Sequence, residues 1–186
     1  MSPEPAKRSG AFVFVVGPSG AGKDTLLTGA QKRLADDTRF LFVRRTVTRP
    51  VGPWEHHDSL APDAFEAAVA RGDFMLTWVA HGLSYGVPAF ARTRVAAGDV
   101  VVCNGSRAAE PAARTAFPDM TLVLITAPRA VRLARLTARG REGDVSGRLD
   151  RLADEDFSLR ADLVIDNSGD AAVGVDALCG LLRCLA

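Results

Sequence analysis

The sequence predicts an α/β fold in which a parallel sheet carries helices on both faces. Short apolar runs at 11–16, 41–43, 100–103, 122–125 and 163–165 alternate with segments of helical spacing, the order that builds a parallel sheet. These runs are continuously apolar rather than apolar on every second residue, as strands buried on both faces require. A glycine-rich turn joins the first run directly to the first helical segment.

The opening Met1–Gly10 is polar and contains two prolines, so it reads as a loose tail, with 11–186 as a single domain. Ala11–Val16 is too short to cross a membrane and stops at Gly17, as a buried strand would. Leu26, Leu27, Ala30 and Leu34 give Gly22–Leu34 a helical face. After the strand Leu41–Val43, an Arg- and Thr-rich segment runs to Pro50. A loop follows, with the run Glu55-His56-His57-Asp58, and is read as surface.

Pro62 and Asp63 open a helix to about Ala70 with Phe65, Ala68 and Val69 as its apolar face, and Arg71-Gly72-Asp73 ends it. Phe74–Val79 returns to strand character, Gly82–Pro88 holds turn-forming residues and Ala89–Ala97 is helical. Beyond the strand Val100–Cys103 come a helix after Arg107, the strand Leu122–Ile125 and helices at about Arg129–Arg139 and Val145–Leu159. Leu163–Ile165 is the last strand. Val173, Val175, Leu178, Leu181 and Leu182 give Ala171–Leu185 the face of a closing helix.

With 186 residues, 47% of them hydrophobic, the chain can bury one sizeable core. Lys and Arg total 23 against 22 Asp and Glu, a net charge of +1, which gives no global field to gather nucleic acid or an anionic membrane. Any basic site must be local. Cys103, Cys179 and Cys184 lack paired metal-ligand spacing and read as core thiols in a reducing cytoplasm.

The turn is Gly17-Pro18-Ser19-Gly20-Ala21-Gly22-Lys23-Asp24-Thr25, a P-loop in the required strand-to-helix context. Its glycines let backbone N–H groups converge on phosphate oxygens, and the helix start adds its positive dipole end. Lys23 is placed to neutralise the β- and γ-phosphates of ATP during transfer. Position 24 departs from the usual Ser or Thr. Asp24 can contact Mg²⁺, Thr25 can supply the hydroxyl instead, or Asp24 caps the helix while phosphates and water hold the metal.

Across almost the whole chain after the tail, the order of motifs resembles the guanylate-kinase-like branch of nucleoside monophosphate kinases. Gly17–Asp24 is similar to that family's P-loop, Thr46–Pro50 to its acceptor-phosphate arginine segment, and Tyr85-Gly86-Val87-Pro88 to its Tyr-Gly-Thr-Pro turn. The resemblance implies a P-loop kinase sheet with an acceptor-binding insertion at about 40–90 and an Arg-rich lid at about 135–150. Arg135, Arg139 and Arg148 fall at the lid arginines and are implied to act in catalysis with Lys23.

Two departures bear on the acceptor. Where guanylate kinases read the guanine edge with a glutamate and a turn hydroxyl, this chain has Leu76 and Val87, which cannot hydrogen-bond a base. Together with Thr48-Arg49-Pro50, Glu55-His56-His57 and Asn104-Gly105-Ser106-Arg107, the pattern instead resembles the ribose 1,5-bisphosphate phosphokinases. That resemblance implies phosphorylation of ribose 1,5-bisphosphate by ATP with Mg²⁺, giving 5-phosphoribosyl 1-diphosphate and ADP, in phosphonate degradation.

An acceptor with two phosphates and no base calls for cationic anchors, and Arg45, Arg49 and Arg107 suit that role through bidentate pairing. Tyr85 can donate to a phosphate, and Glu55, His57, Asn104 and Ser106 are further candidates for acceptor binding. Two adjacent histidines beside Asp58 do not form a closed metal set. The strand ending at Cys103 also lacks the acidic residue that often holds Mg²⁺. The expected partners are ATP and a small sugar bisphosphate, not nucleic acid or membrane. The sequence leaves oligomeric state open, a homodimer being one option.

Overall fold

Strand β1 (Ala11–Val16) is buried on both sides, and its alternate side chains enter two different cores. A computed structural model describes residues 10–51, 57–138 and 159–186. Val13 and Val15 pack beneath α1 (Lys23–Arg33) and the closing helix α6 (Ala171–Leu185). Phe12, Phe14 and Val16 face the opposite way. Such two-sided burial is why the strand reads as an unbroken apolar run.

The main sheet is wholly parallel in the order β2-β7-β1-β8-β9, with β2 at Phe40–Val43, β7 at Val100–Asn104, β8 at Thr121–Thr126 and β9 at Leu163–Asp166. Helices α3 (Phe90–Ala96), α4 (Glu110–Ala116) and α5 (Arg129–Ala138) complete the alternation foreseen from the sequence. A 3₁₀ turn at Arg107–Ala109 precedes α4. The helix expected at 145–159 falls outside the described residues except for Leu159, which is in no regular element. Among the described residues no helix is long and apolar enough to cross a membrane.

A second sheet covers part of the far face, in the order β4-β3-β6-β5, with β3 at Thr46–Val47, β4 at Asp58–Ser59, β5 at Phe74–Ala80 and β6 at Leu83–Pro88. Here the turn reading of 82–88 is corrected: most of it is strand β6, paired with both β3 and β5. Gly86 is needed within it because a Cβ there would overlap the Phe74 ring. The actual turn is His81-Gly82, with φ values of 50° and 71°, the left-handed pair that a tight two-residue hairpin demands. Helix α2 (Pro62–Arg71) lies between β4 and β5 in the chain and buries Phe65 and Ala68, as foreseen, but leaves Val69 exposed.

Val47, Leu76, Trp78, Tyr85 and Val87 from this sheet join Phe12, Phe14 and Val16 in one core. Leu76 and Val87 are cross-strand partners and both buried. On the other face, Gly174 of α6 meets Leu26 of α1 and Gly29 meets Val175, so small residues bring the two helices close. An Arg33–Asp176 ion pair links the same helices at the surface. Val173 points to solvent rather than into this interface, and Cys184 is exposed while Cys103 and Cys179 are buried.

Candidate active site

The carboxyl ends of the parallel strands deliver the polar residues to one edge, where ligands bind in open α/β sheets. Gly17 follows β1, Arg44 and Arg45 follow β2, Asn104 ends β7 and Asn167 follows β9. A cleft of about 520 Å³ opens there, lined by Gly17, Pro18, Ser19, Lys23, Arg45, His81, Tyr85, Gly105, Ser106, Arg107 and Leu159, with the apolar Val79, Ala80 and Ala108. No carboxylate is among these lining residues. Among the described residues, the charged side chains lining the cleft are the cationic Lys23, Arg45 and Arg107, a surface that attracts anions.

The loop turns into α1 through Gly22, whose φ of 91° is left-handed. Alanine there would also overlap the Asn167 side chain. Lys23 Nζ donates to the carbonyls of Gly17 at 2.7 Å and Pro18 at 3.3 Å. Desolvation lowers its pKa from 10.5 to about 8, with Arg45 and Arg107 pushing the same way and Asp24 opposing. Anionic phosphate arriving between these cations reverses that balance, because it favours the charged ammonium.

Arg45 is held on two sides. Its guanidinium lies 5.1 Å from the Tyr85 ring centre, and Nη1 donates to the Asn104 carbonyl at 3.3 Å. Tyr85 in turn stacks on Trp78, its cross-strand partner, with centroids 5.1 Å apart and planes within 6°. This aromatic floor fixes the orientation of the Arg45 guanidinium, whose planar fork is suited to bidentate pairing with an anion.

The other predicted residues are distributed unevenly. Ser106 and Arg107 line the cleft, whereas Arg49 is a partly buried residue just after β3 whose carbonyl accepts from Ser59 Oγ at 2.7 Å. His57 is 5% exposed, so the surface reading of its loop does not hold at that residue. It is not among the cleft-lining residues. Asn104 directs its amide to Asp24, Nδ2 donating to Oδ1 at 2.7 Å, and neither residue lines the cleft. Thr25 is exposed in the first turn of α1. Glu55, Arg139 and Arg148 lie outside the described residues.

Arg135 braces the loop from behind, Nη2 donating to the Asn167 carbonyl at 2.7 Å and Nη1 to the Ala21 carbonyl at 3.4 Å. Asn167 Nδ2 donates to that same Ala21 carbonyl at 2.8 Å. Asn167 was not foreseen, although it is a polar residue immediately beyond an apolar strand, the signal that drew attention to Asn104. His81 was missed because Gly82 marked the segment only as a turn. Among the described residues, no cluster of three or more His, Cys, Asp or Glu forms a metal site. Among the described residues, Asp24, Thr25 and Asn104 offer oxygens that suit a hard cation. Asn104 Oδ1 is buried without a hydrogen-bond partner, so a hydrated cation fits this group.

No protein-family model matches the chain. It is 46% identical over 176 residues to ribose 1,5-bisphosphate phosphokinase PhnN of Methylobacterium radiotolerans, a match covering 94% of this chain and 98% of that protein. It is 48% identical over 146 residues to the bifunctional ribose 1,5-bisphosphokinase-thymidine phosphorylase of Azorhizobium caulinodans, covering 77% of this chain but only 21% of that longer protein. Among solved structures, guanylate kinase from Anaplasma phagocytophilum superimposes with a TM-score of 0.74 over 96% of this chain and 87% of its own, at 17% identity. That likeness shows the fold.

Proposed function

The chain belongs to the ribose 1,5-bisphosphate phosphokinase family, and from that premise we propose that its cleft transfers the γ-phosphoryl group of ATP to the 1-phosphate of ribose 1,5-bisphosphate. A phosphate oxygen of the acceptor attacks the γ-phosphorus. The bond from that phosphorus to the oxygen bridging to the β-phosphate breaks, ADP leaves, and the product is 5-phosphoribosyl 1-diphosphate.

The observation that carries this reading is the cleft's charge: among the described residues, Lys23, Arg45 and Arg107 line it and no carboxylate does. A sugar bisphosphate meeting a triphosphate brings many negative charges together, so positioning and neutralisation are the work of catalysis. The attacking oxygen is already ionised near neutral pH and needs no strong general base. Lys23 neutralises the transferring group, Arg45 grips an acceptor phosphate from its aromatic floor, and Tyr85, Ser106 and Arg107 complete the acceptor contacts. Arg135 contributes to catalysis with Arg139 and Arg148, which lie outside the described residues, and Mg²⁺ bound with ATP would screen the β- and γ-phosphates.

Leu76 and Val87 oppose a nucleotide acceptor. Both are buried in the core beneath the second sheet, so neither offers a polar edge to a base. The test is an acceptor assay with ATP and Mg²⁺. Ribose 1,5-bisphosphate should give a new diphosphate product at a rate well above any ADP formation with GMP. Efficient phosphorylation of GMP with no product from ribose 1,5-bisphosphate would overturn the proposal.

A further inference from the structure

P-loop NTPases commonly hold their metal between a loop hydroxyl and a carboxylate at the end of a neighbouring strand. Neither group is in its usual place here: Asp24 follows Lys23, and β7 ends in Asn104. The fold brings the two departures into contact, because β7 lies beside β1 with Asn104 in register with Val15, just before the loop. Asn104 Nδ2 donates to Asp24 Oδ1 at 2.7 Å.

We propose that Asp24 and Asn104 have exchanged the two roles: the loop now supplies the carboxylate of the cation's shell, and the strand supplies a neutral positioning residue that holds it. The exchange conserves one negative charge at the junction. Two carboxylates at this separation would repel each other, and two neutral groups would leave the cation without an anionic protein ligand.

The hydrogen-bond inventory of the pair agrees with this assignment. The amide occupies Asp24 Oδ1, leaving Oδ2 for the cation or one of its waters. Asn104 Oδ1 is buried without a donor, and a cation-bound water is a strong donor. Asp24 and Asn104 also line a cavity of about 60 Å³, together with the polar Thr28, Gln31 and Arg44 and the apolar Leu27, Phe42, Val43 and Val102, enough for about two waters. The Asn104 backbone carbonyl meanwhile accepts from Arg45. One residue thus touches the loop with its side chain and the acceptor arginine with its backbone.

This inference rests on the kinase reading only for its ligand, a divalent cation carried by a nucleoside polyphosphate. It is tested with Mn²⁺ and ADP alone, by Mn²⁺ electron paramagnetic resonance and calorimetry on the full chain. Asp24→Ser should weaken Mn²⁺·ADP binding about tenfold or more, while metal-free ADP binds as tightly as before or more tightly, since a carboxylate has left the phosphates' surroundings. Asp24→Asn, with a side chain of nearly the same size, should repeat both results and decides the matter if the serine variant does not fold.

Asn104→Asp alone should weaken metal-free ADP binding by adding a second negative charge. Combining Asp24→Ser with Asn104→Asp should bring Mn²⁺·ADP affinity back to within about threefold of wild type, a coupling that independent sites would not show. Wild-type Mn²⁺·ADP affinity in folded Asp24→Asn would overturn the proposal, as would a folded double variant that binds no better than Asp24→Ser. No acceptor enters these measurements. Failure of the sugar-phosphate reading and failure of the exchange therefore give different results.

Discussion

Replacing Gly22 by alanine tests how the phosphate loop is braced. Gly22 sits at φ 91° and ψ 22°, a left-handed conformation that costs an alanine about 1–2 kcal/mol. Its new Cβ would also overlap Asn167 Nδ2, which donates to the Ala21 carbonyl at 2.8 Å. Losing that buried hydrogen bond adds about 1–1.5 kcal/mol. Reduced freedom of the unfolded chain returns about 0.4–1 kcal/mol. The net loss is about 2 kcal/mol, or a fall in Tm of about 4–8 °C for a domain of this size.

Gly72→Ala is the matched control. Its φ of 78° is also left-handed, but a Cβ there meets nothing within 4 Å, so it carries only the backbone terms, a net of about 1 kcal/mol or less. Urea unfolding followed by circular dichroism, with unchanged m-values, compares the two. A Gly22→Ala loss no larger than that of Gly72→Ala would refute the claim that Asn167 braces the loop.

Lys23→Met should lower turnover by about 100-fold or more while preserving the fold, because its charge serves the transition state. Steady-state kinetics and circular dichroism check this. The same variant reports the lysine's desolvation. Between its folded value of about 8 and the ordinary 10.5, the unfolded chain binds a proton that the folded chain lacks. Wild-type stability should therefore rise relative to Lys23→Met across that range by ~3 kcal/mol at most, the penalty being fully present below pH 8. Urea unfolding of both proteins at pH 7.5 and 10 measures the difference. Tyr85→Phe should raise the acceptor KM about tenfold through loss of the phosphate hydrogen bond, with the ATP KM unchanged in an acceptor titration. Arg135→Ala should raise the ATP KM and lower Tm, since it removes contacts to both Asn167 and Ala21.

The centre of the main sheet was legible because β1, β7 and β8 are buried on both faces. Ala11–Val16, for example, announces itself by composition alone and matches the observed strand. The second sheet was not, for a local reason. Gly86 and Pro88 mark a turn by propensity, yet Gly86 serves the close approach of the Phe74 ring within a paired strand. Strands β3 and β4 have two residues each, too few for any periodicity. Within the site, the loop from Gly17 to Lys23 could be read directly because its chemistry is contiguous. Asn167 was marked only by its place just beyond a strand; its partners, Ala21 and Arg135, lie far away in the chain, so its bracing contact had no local signature.

The hydrogen bond from Asn167 to Ala21 joins residues 146 positions apart, and this sets an order of events during synthesis. The loop sequence is made first, the side chain that braces it follows 146 residues later, and α6, which packs on α1, comes after that. A growing chain thus displays the loop residues long before it can hold them in shape. Nucleotide should not protect the nascent protein from proteolysis until the last strand has joined the sheet. Ligand capture then reports completion of the domain.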